Sequence, residues 1–246
     1  MMMEYNCKML QLKDGRSVFF KFTKSKSGKS FSEKQINNMI ELVETYMLRF
    51  PRLHISIITD YENEEYQNSE KDSCFDGQAF YSDQVIILNQ IKLSQVDFEG
   101  ADFFKKTEEL SSRILDLALK REELLKKLPE YTVDAYIATI MAEIDWGKIE
   151  LTGKTCDNIF ANSWAVRSFE GVMCIKRVLI HEIAHIIANQ YELLSEESLK
   201  STFELYKEQF ENIDEFFAEC FMTNEFTGKV PIANWIGTFV KRRTLR

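Results

Sequence analysis

The stretch "VLIHEIAHIIA", residues 178–188, sets two histidines and a glutamate inside an otherwise apolar run. The chain has 246 residues but only three histidines, and two of them stand here, four residues apart. No glycine or proline interrupts the run, and apolar residues fill every other face, so it reads as a helix of the core. Residues four apart on a helix lie one above the other on the same face. His181 and His185 can therefore present two imidazole nitrogens to one point, about 2.0–2.1 Å from a zinc ion. Glu182 stands about 100° further round the helix, beside that point without binding it. Uncompensated, such groups in a core would cost several kcal/mol.

The pattern is the H-E-x-x-H arrangement of metal-dependent peptidases. Zinc lowers the pKa of a bound water to about 7, and the neighbouring glutamate can take the proton. A catalytic zinc uses three protein ligands and keeps one position open. The extension H-x-x-G-x-x-H fails, because Ala188 and Tyr191 occupy its glycine and last histidine positions. His54 is the one histidine left, and it sits in a strand-like run, so a carboxylate on a later helix is expected. "NIDEFFAECFM", residues 212–222, offers Glu215 and Glu219 four apart among Phe216, Phe217, Cys220 and Phe221. Two carboxylates in such surroundings need a cation or a histidine N–H. One can bind the metal and the other can accept the far N–H of a ligating histidine. Glu204, Glu208 and Glu211 read as a solvated edge.

"HEIAH" followed by "N-x-x-E-F-F-A-E-x-F", Asn212 to Phe221, resembles the zinc peptidase domain of anthrax toxin lethal factor and its relatives, over residues of about 178–223. The resemblance implies an α+β, zincin-like metallopeptidase fold, with a small mixed sheet over an active-site helix and a helical carboxy-terminal portion. It implies Glu215 as third zinc ligand and Glu219 as its outer partner. The family's oxyanion tyrosine stands seven residues before the ligand glutamate, where this chain has Glu208. Tyr206 or Tyr191 is the substitute. An edge strand binding the substrate is also implied, and "QVIILN", residues 84–89, is the stretch expected to supply it.

Elsewhere the chain reads as ordinary globular protein. "EYNCKMLQLKDGRSVFFKF" is two strands about an Asp14-Gly15 turn. "TKSKSGKS" ends like a phosphate loop but has Thr23 where that motif needs glycine, so it reads as a flexible basic loop. Ser32 and Gln35 form a capping box for a helix with an apolar face from Ile36 to Phe50, stopped by Pro51. "RLHISIITD" reads as a strand, "DYENEEYQNSEKD" as an exposed loop, and "GQAFYSDQVIILN" as a strand pair or one bent strand. Helices are expected over about 102–128, ended by Pro129, and over 133–146, 170–190, 196–210 and 213–225, with 147–169 rich in loops. Two portions follow, 1–100 with the substrate-side strands and 101–246 with the zinc site, or one continuous domain.

A net charge of −8 argues against nucleic-acid binding. No run of about 18 apolar residues exists, so no membrane insertion is expected. The five cysteines are scattered and never spaced C-x-x-C, which suits free thiols in a reducing compartment. "MMMEYNCKML" lacks the basic and apolar regions of a signal peptide. Synthesis in the cytoplasm is expected, with export or injection as an effector left open. The reading is a zinc-dependent endopeptidase acting on a protein or peptide. The alternative is a helical interaction protein whose zinc is structural or absent.

Overall fold

Local signals build the amino-terminal elements. The computed structural model describes residues 4–24, 28–61, 76–99, 116–117, 119–142, 174–208, 210–226 and 231–244. Strands β1 (Tyr5–Gln11) and β2 (Ser17–Thr23) pair antiparallel about the expected turn. Gly15 adopts φ 91°, a conformation that glycine reaches without strain. Arg16 fixes the turn by bonding Asp14 and the carbonyls of Met47, Phe50 and Leu53.

Helix α1 (Glu33–Arg49) starts at Ser32, where both halves of the capping box are present. It buries Ile36, Met39, Val43, Tyr46 and Met47 and ends before Pro51. Strand β3 (Ile57–Asp60) follows. The stretch 77–89 resolves as the strand pair β4 (Gly77–Phe80) and β5 (Val85–Leu88), joined by a turn in which Gln84 takes φ 57°.

The sheet is five-stranded and mixed, in the order β1-β2-β3-β5-β4, with β2, β3 and β5 mutually parallel. This order corrects the expectation for residues 84–89. Strand β5 lies between β3 and β4, so its backbone groups are already paired, and among the described residues the edge strand beside it is β4. All of Val85, Ile86, Ile87 and Leu88 are buried, as befits a strand covered on both faces.

After the short α2 (Gln90–Leu93), the described chain continues with helical residues 119–125 and α3 (Glu130–Ala142). The histidine helix α4 (Ile175–Gln190) starts at Cys174, whose sulfur accepts from the Arg177 N–H at 3.4 Å. A 3-10 turn (Leu193–Ser195), α5 (Glu197–Glu204), α6 (Ile213–Phe226) and α7 (Pro231–Thr244) complete it. Among the described residues no helix is long and apolar enough to cross a membrane. Most of the expected 102–128 helix, the 147–169 stretch and the acidic loop after Tyr61 lie outside the described residues.

The chain divides into two units. One comprises residues 1–100, 173–218 and 240–246, so α4 and the start of α6 join the sheet rather than residues 101–172. Within it, α4 packs on β4, β5 and α1. Gln190 anchors its end by bonding both backbone groups of His54 at 2.8 Å. The other unit, 101–172 and 219–239, has a core of Leu117, Val133 and Ile137 with Leu124, Leu125 and Ile140 against it.

Candidate metal centre

Helix α4 buries twelve of its residues, including Glu182 and His185. With so little of its surface in water, the helix is held by packing, and its polar side chains are fixed by what surrounds them. The spacing does what helix geometry requires: the Nε2 atoms of His181 and His185 come within 3.1 Å of each other. Glu215, in the first turn of α6, meets both. Its Oε2 lies 3.3 Å from His181 Nε2 and its Oε1 lies 3.5 Å from His185 Nε2.

These separations can be tested against an ion. Ligand atoms at 2.0–2.1 Å from a tetrahedral zinc are about 3.3–3.4 Å from one another. The two nitrogens and the carboxylate stand at nearly those distances, and all three residues form a group able to hold a metal ion. The donor set fits a divalent cation of the zinc type. The His185 side chain is only 6% exposed, whereas Glu215 keeps 42% of its side chain in solvent. The point of convergence is therefore reached from the Glu215 side.

The first turn of α6 is held by Asn212, whose side-chain oxygen accepts from the N–H groups of both Asp214 and Glu215 at 2.9 Å. Placing two carboxylates at a helix start also suits the helix dipole. Behind them Phe216 packs with Phe203, Tyr206 and Phe210.

Glu182 is buried, and burial pushes its carboxyl above the ordinary carboxylate range. His181 and His185 pull it down, while the Glu215 and Asp214 charges push it up further. Its carboxylate lies against the start of the edge strand. A methyl group added at Gly77 would stand 2.9 Å from Glu182 Oε1 and 2.8 Å from Val178 Cγ1. Glu215 is held below its ordinary range by its contact with His181, against burial.

Three side chains that the sequence did not single out enter here. Asp214 Oδ1 lies 2.8 Å from Nδ1 of His185. The Tyr81 hydroxyl, from the turn after β4, donates to Asp214 Oδ2, and its ring centroid is 6.2 Å from that of His185. Burial raises Asp214, but the His185 and Tyr81 contacts outweigh it and leave the carboxyl below its usual range. Tyr61, just past β3, has its hydroxyl pushed up to about 12, first by burial and then by the charges of Glu182 and Asp76.

Other sequence candidates sit differently. Glu219 is buried one turn beyond Glu215, and the carboxylate facing Nδ1 of His185 is that of Asp214. Tyr206 stacks on Phe216 at 5.7 Å. The Tyr191 hydroxyl accepts from the Arg52 N–H at 3.0 Å, with the Arg52 guanidinium over its ring. Tyr81 meets Asp214 with its hydroxyl and stands beside His185 with its ring. Of the three, only Asp214 could have been sought in sequence, since it directly precedes Glu215; nothing local marks Tyr81. The chain matches no protein-family model, no curated protein and no solved structure.

Proposed function

We propose that the chain is a zinc-dependent endopeptidase of the gluzincin type, with His181, His185 and Glu215 as ligands and Glu182 as general base. The observation that carries this reading is the convergence of two Nε2 atoms and one carboxylate at tetrahedral spacing, with a buried glutamate beside them. The resemblance of "HEIAH" and "EFFAE" to the lethal factor domain supports it further.

A bound zinc would polarise the scissile carbonyl and make a water acidic enough to lose its proton near neutrality. Glu182 takes that proton and delivers it to the leaving amine, the two tasks of one carboxylate in general acid–base catalysis. Burial keeps its proton affinity above that of a free carboxylate, which suits the second task. The edge strand β4 runs beside Glu182 and can accept an extended peptide as an added strand. Tyr81, on the turn that follows, stands at the other end of β4.

The test is zinc content by elemental analysis together with turnover on a peptide library. Wild type should hold one zinc per chain. Glu182→Gln should keep the metal and lose turnover by about 10²–10⁴-fold, and Glu215→Ala should lose both. No zinc in the wild type after reloading would end the proposal. Zinc without cleavage, unaltered by Glu182→Gln, would favour a structural metal in an interaction protein.

A further inference from the structure

Asp214 is placed with more care than a surface aspartate at a helix start requires. Its two carboxylate oxygens go to different elements: Oδ1 to His185 Nδ1 on α4 at 2.8 Å, and Oδ2 to the Tyr81 hydroxyl on the β4–β5 turn. Asp214 Oδ1 and His185 Nδ1 are both buried, and neither has a well-aligned hydrogen bond among the described residues, so the close contact with each other is what remains to them. The neighbouring Glu215 meets the opposite nitrogen of the same ring. Two consecutive acids of one helical turn thus address the two edges of one imidazole.

We infer that Asp214 is a positioning residue for His185, and that Tyr81 positions Asp214; the inference rests on the metal-site reading above. A neutral imidazole carries one N–H and one lone pair. A carboxylate at Nδ1 places the hydrogen there, so Nε2 turns its lone pair toward His181 and Glu215. The other tautomer would set a lone pair against Oδ1 and a proton toward the metal. Tyr81 donates to the other oxygen and so fixes the plane of the carboxylate. Because Tyr81 belongs to the turn that ends the edge strand, one chain of contacts runs from that strand to a metal ligand. The substrate side and the metal side of the site are thereby held in register.

The test is zinc affinity by competition with a chromophoric chelator, with the Tm of each metal-free variant measured beside it. Asp214→Ala should bind zinc about 10–100-fold more weakly, the usual loss when a histidine's outer partner is removed. Asp214→Asn keeps an oxygen able to accept the Nδ1 hydrogen and should recover most of that affinity. Tyr81→Phe keeps the ring, which is 39% exposed, and should weaken zinc about fivefold, the worth of one ordinary hydrogen bond. Wild-type affinity in Asp214→Ala overturns the role of Asp214, and wild-type affinity in Tyr81→Phe overturns that of Tyr81. Tyr81→Phe leaves packing intact and reaches the metal only through Asp214. Weaker zinc binding in it therefore supports both links even if Asp214→Ala does not fold, and wild-type binding overturns the chain of contacts as drawn. A wild type that binds no zinc overturns the metal reading and this inference together. One that binds zinc as Asp214→Ala does overturns the inference alone.

Discussion

Gly77→Ala tests the site at its tightest point. The added methyl would stand 2.8 Å from Val178 Cγ1, 2.9 Å from Glu182 Oε1 and 3.0 Å from Glu182 Cγ. Ordinary van der Waals contact begins near 3.4 Å, so the glutamate must yield by about half an ångström, on the scale where overpacking is felt. It has little room to do so. Val178, Leu179, Ile183 and Ile186 are all buried, so α4 cannot move back without disturbing the core. Overpacking of this kind costs about 1–3 kcal/mol, and each kcal/mol lowers Tm by about 2–4 °C in a unit of this size. The displaced group is the one proposed as general base, and in that role a misplacement of about 1 Å costs about 10²-fold in rate. We therefore expect a Tm several degrees lower and turnover reduced by about 10–100-fold. Zinc content should stay at the wild-type level, because the atoms nearest the new methyl belong to Val178 and Glu182 rather than to the proposed ligands. Differential scanning fluorimetry, metal analysis and a peptide-library assay read the three quantities. Unchanged Tm together with unchanged turnover would refute the argument, since it would mean that β4 and Glu182 are not pressed together.

Chelation should lower Tm, and zinc at about 100 times its Kd should restore about 2.7 kcal/mol; an unchanged melting curve would count against metal binding by the native state. Asn212→Ala removes the acceptor shared by the Asp214 and Glu215 N–H groups. It should cost about 1 kcal/mol and weaken zinc severalfold, whereas Asn212→Asp should retain the cap; equal zinc affinity in the alanine variant would show that the turn holds without it. Burial pushes the Cys174 thiol up to about 11 and holds Cys220 well above the ordinary thiol range, while Cys7 is exposed. Since the thiolate is the reactive form, iodoacetamide at pH 8 should label Cys7 on the native protein and reach Cys174 and Cys220 only after denaturation. Mass spectrometry of the labelled peptides checks this, and rapid native labelling of Cys174 would contradict its burial.

What was legible in the sequence was what depends on near neighbours. Ser32 and Gln35 are three apart, Asp14 and Gly15 adjacent, and His181 and His185 one helical turn apart, so local geometry alone fixes each outcome. Strand order is not local. The run from Val85 to Leu88 looked like a free strand, but four apolar residues without alternation are the mark of a strand covered on both faces. The less apolar Gly77–Phe80 was the better candidate for an edge. Helical spacing points from Glu215 to Glu219, four residues on, and does not point to Asp214. The carboxylate at His185 Nδ1 is that of Asp214, adjacent in sequence to Glu215 and about 100° away on the helix. Its partner Tyr81 is 133 residues distant, and no pattern in either segment announces the pair.

This contrast divides the site into halves of different sturdiness. The two imidazoles are set by one helix that is buried along most of its length and anchored at its end by the Gln190 clamp on His54. Their spacing survives as long as that helix does. The third donor depends on more: the Asn212 cap, the packing of Phe216 against Phe203, Tyr206 and Phe210, and the Tyr81–Asp214 contact that reaches across to the sheet. Each of these is worth only a few kcal/mol at most, and each lies outside the HEIAH stretch. Loss of any one leaves a two-histidine site, still in place but open on the side where Glu215 closes it. A substitution that abolishes function in this chain thus has a larger target around α6 and the β4–β5 turn than in the motif itself. There the geometry of the site is assembled from distant parts of the sequence, and there the affinity for the proposed metal would be set.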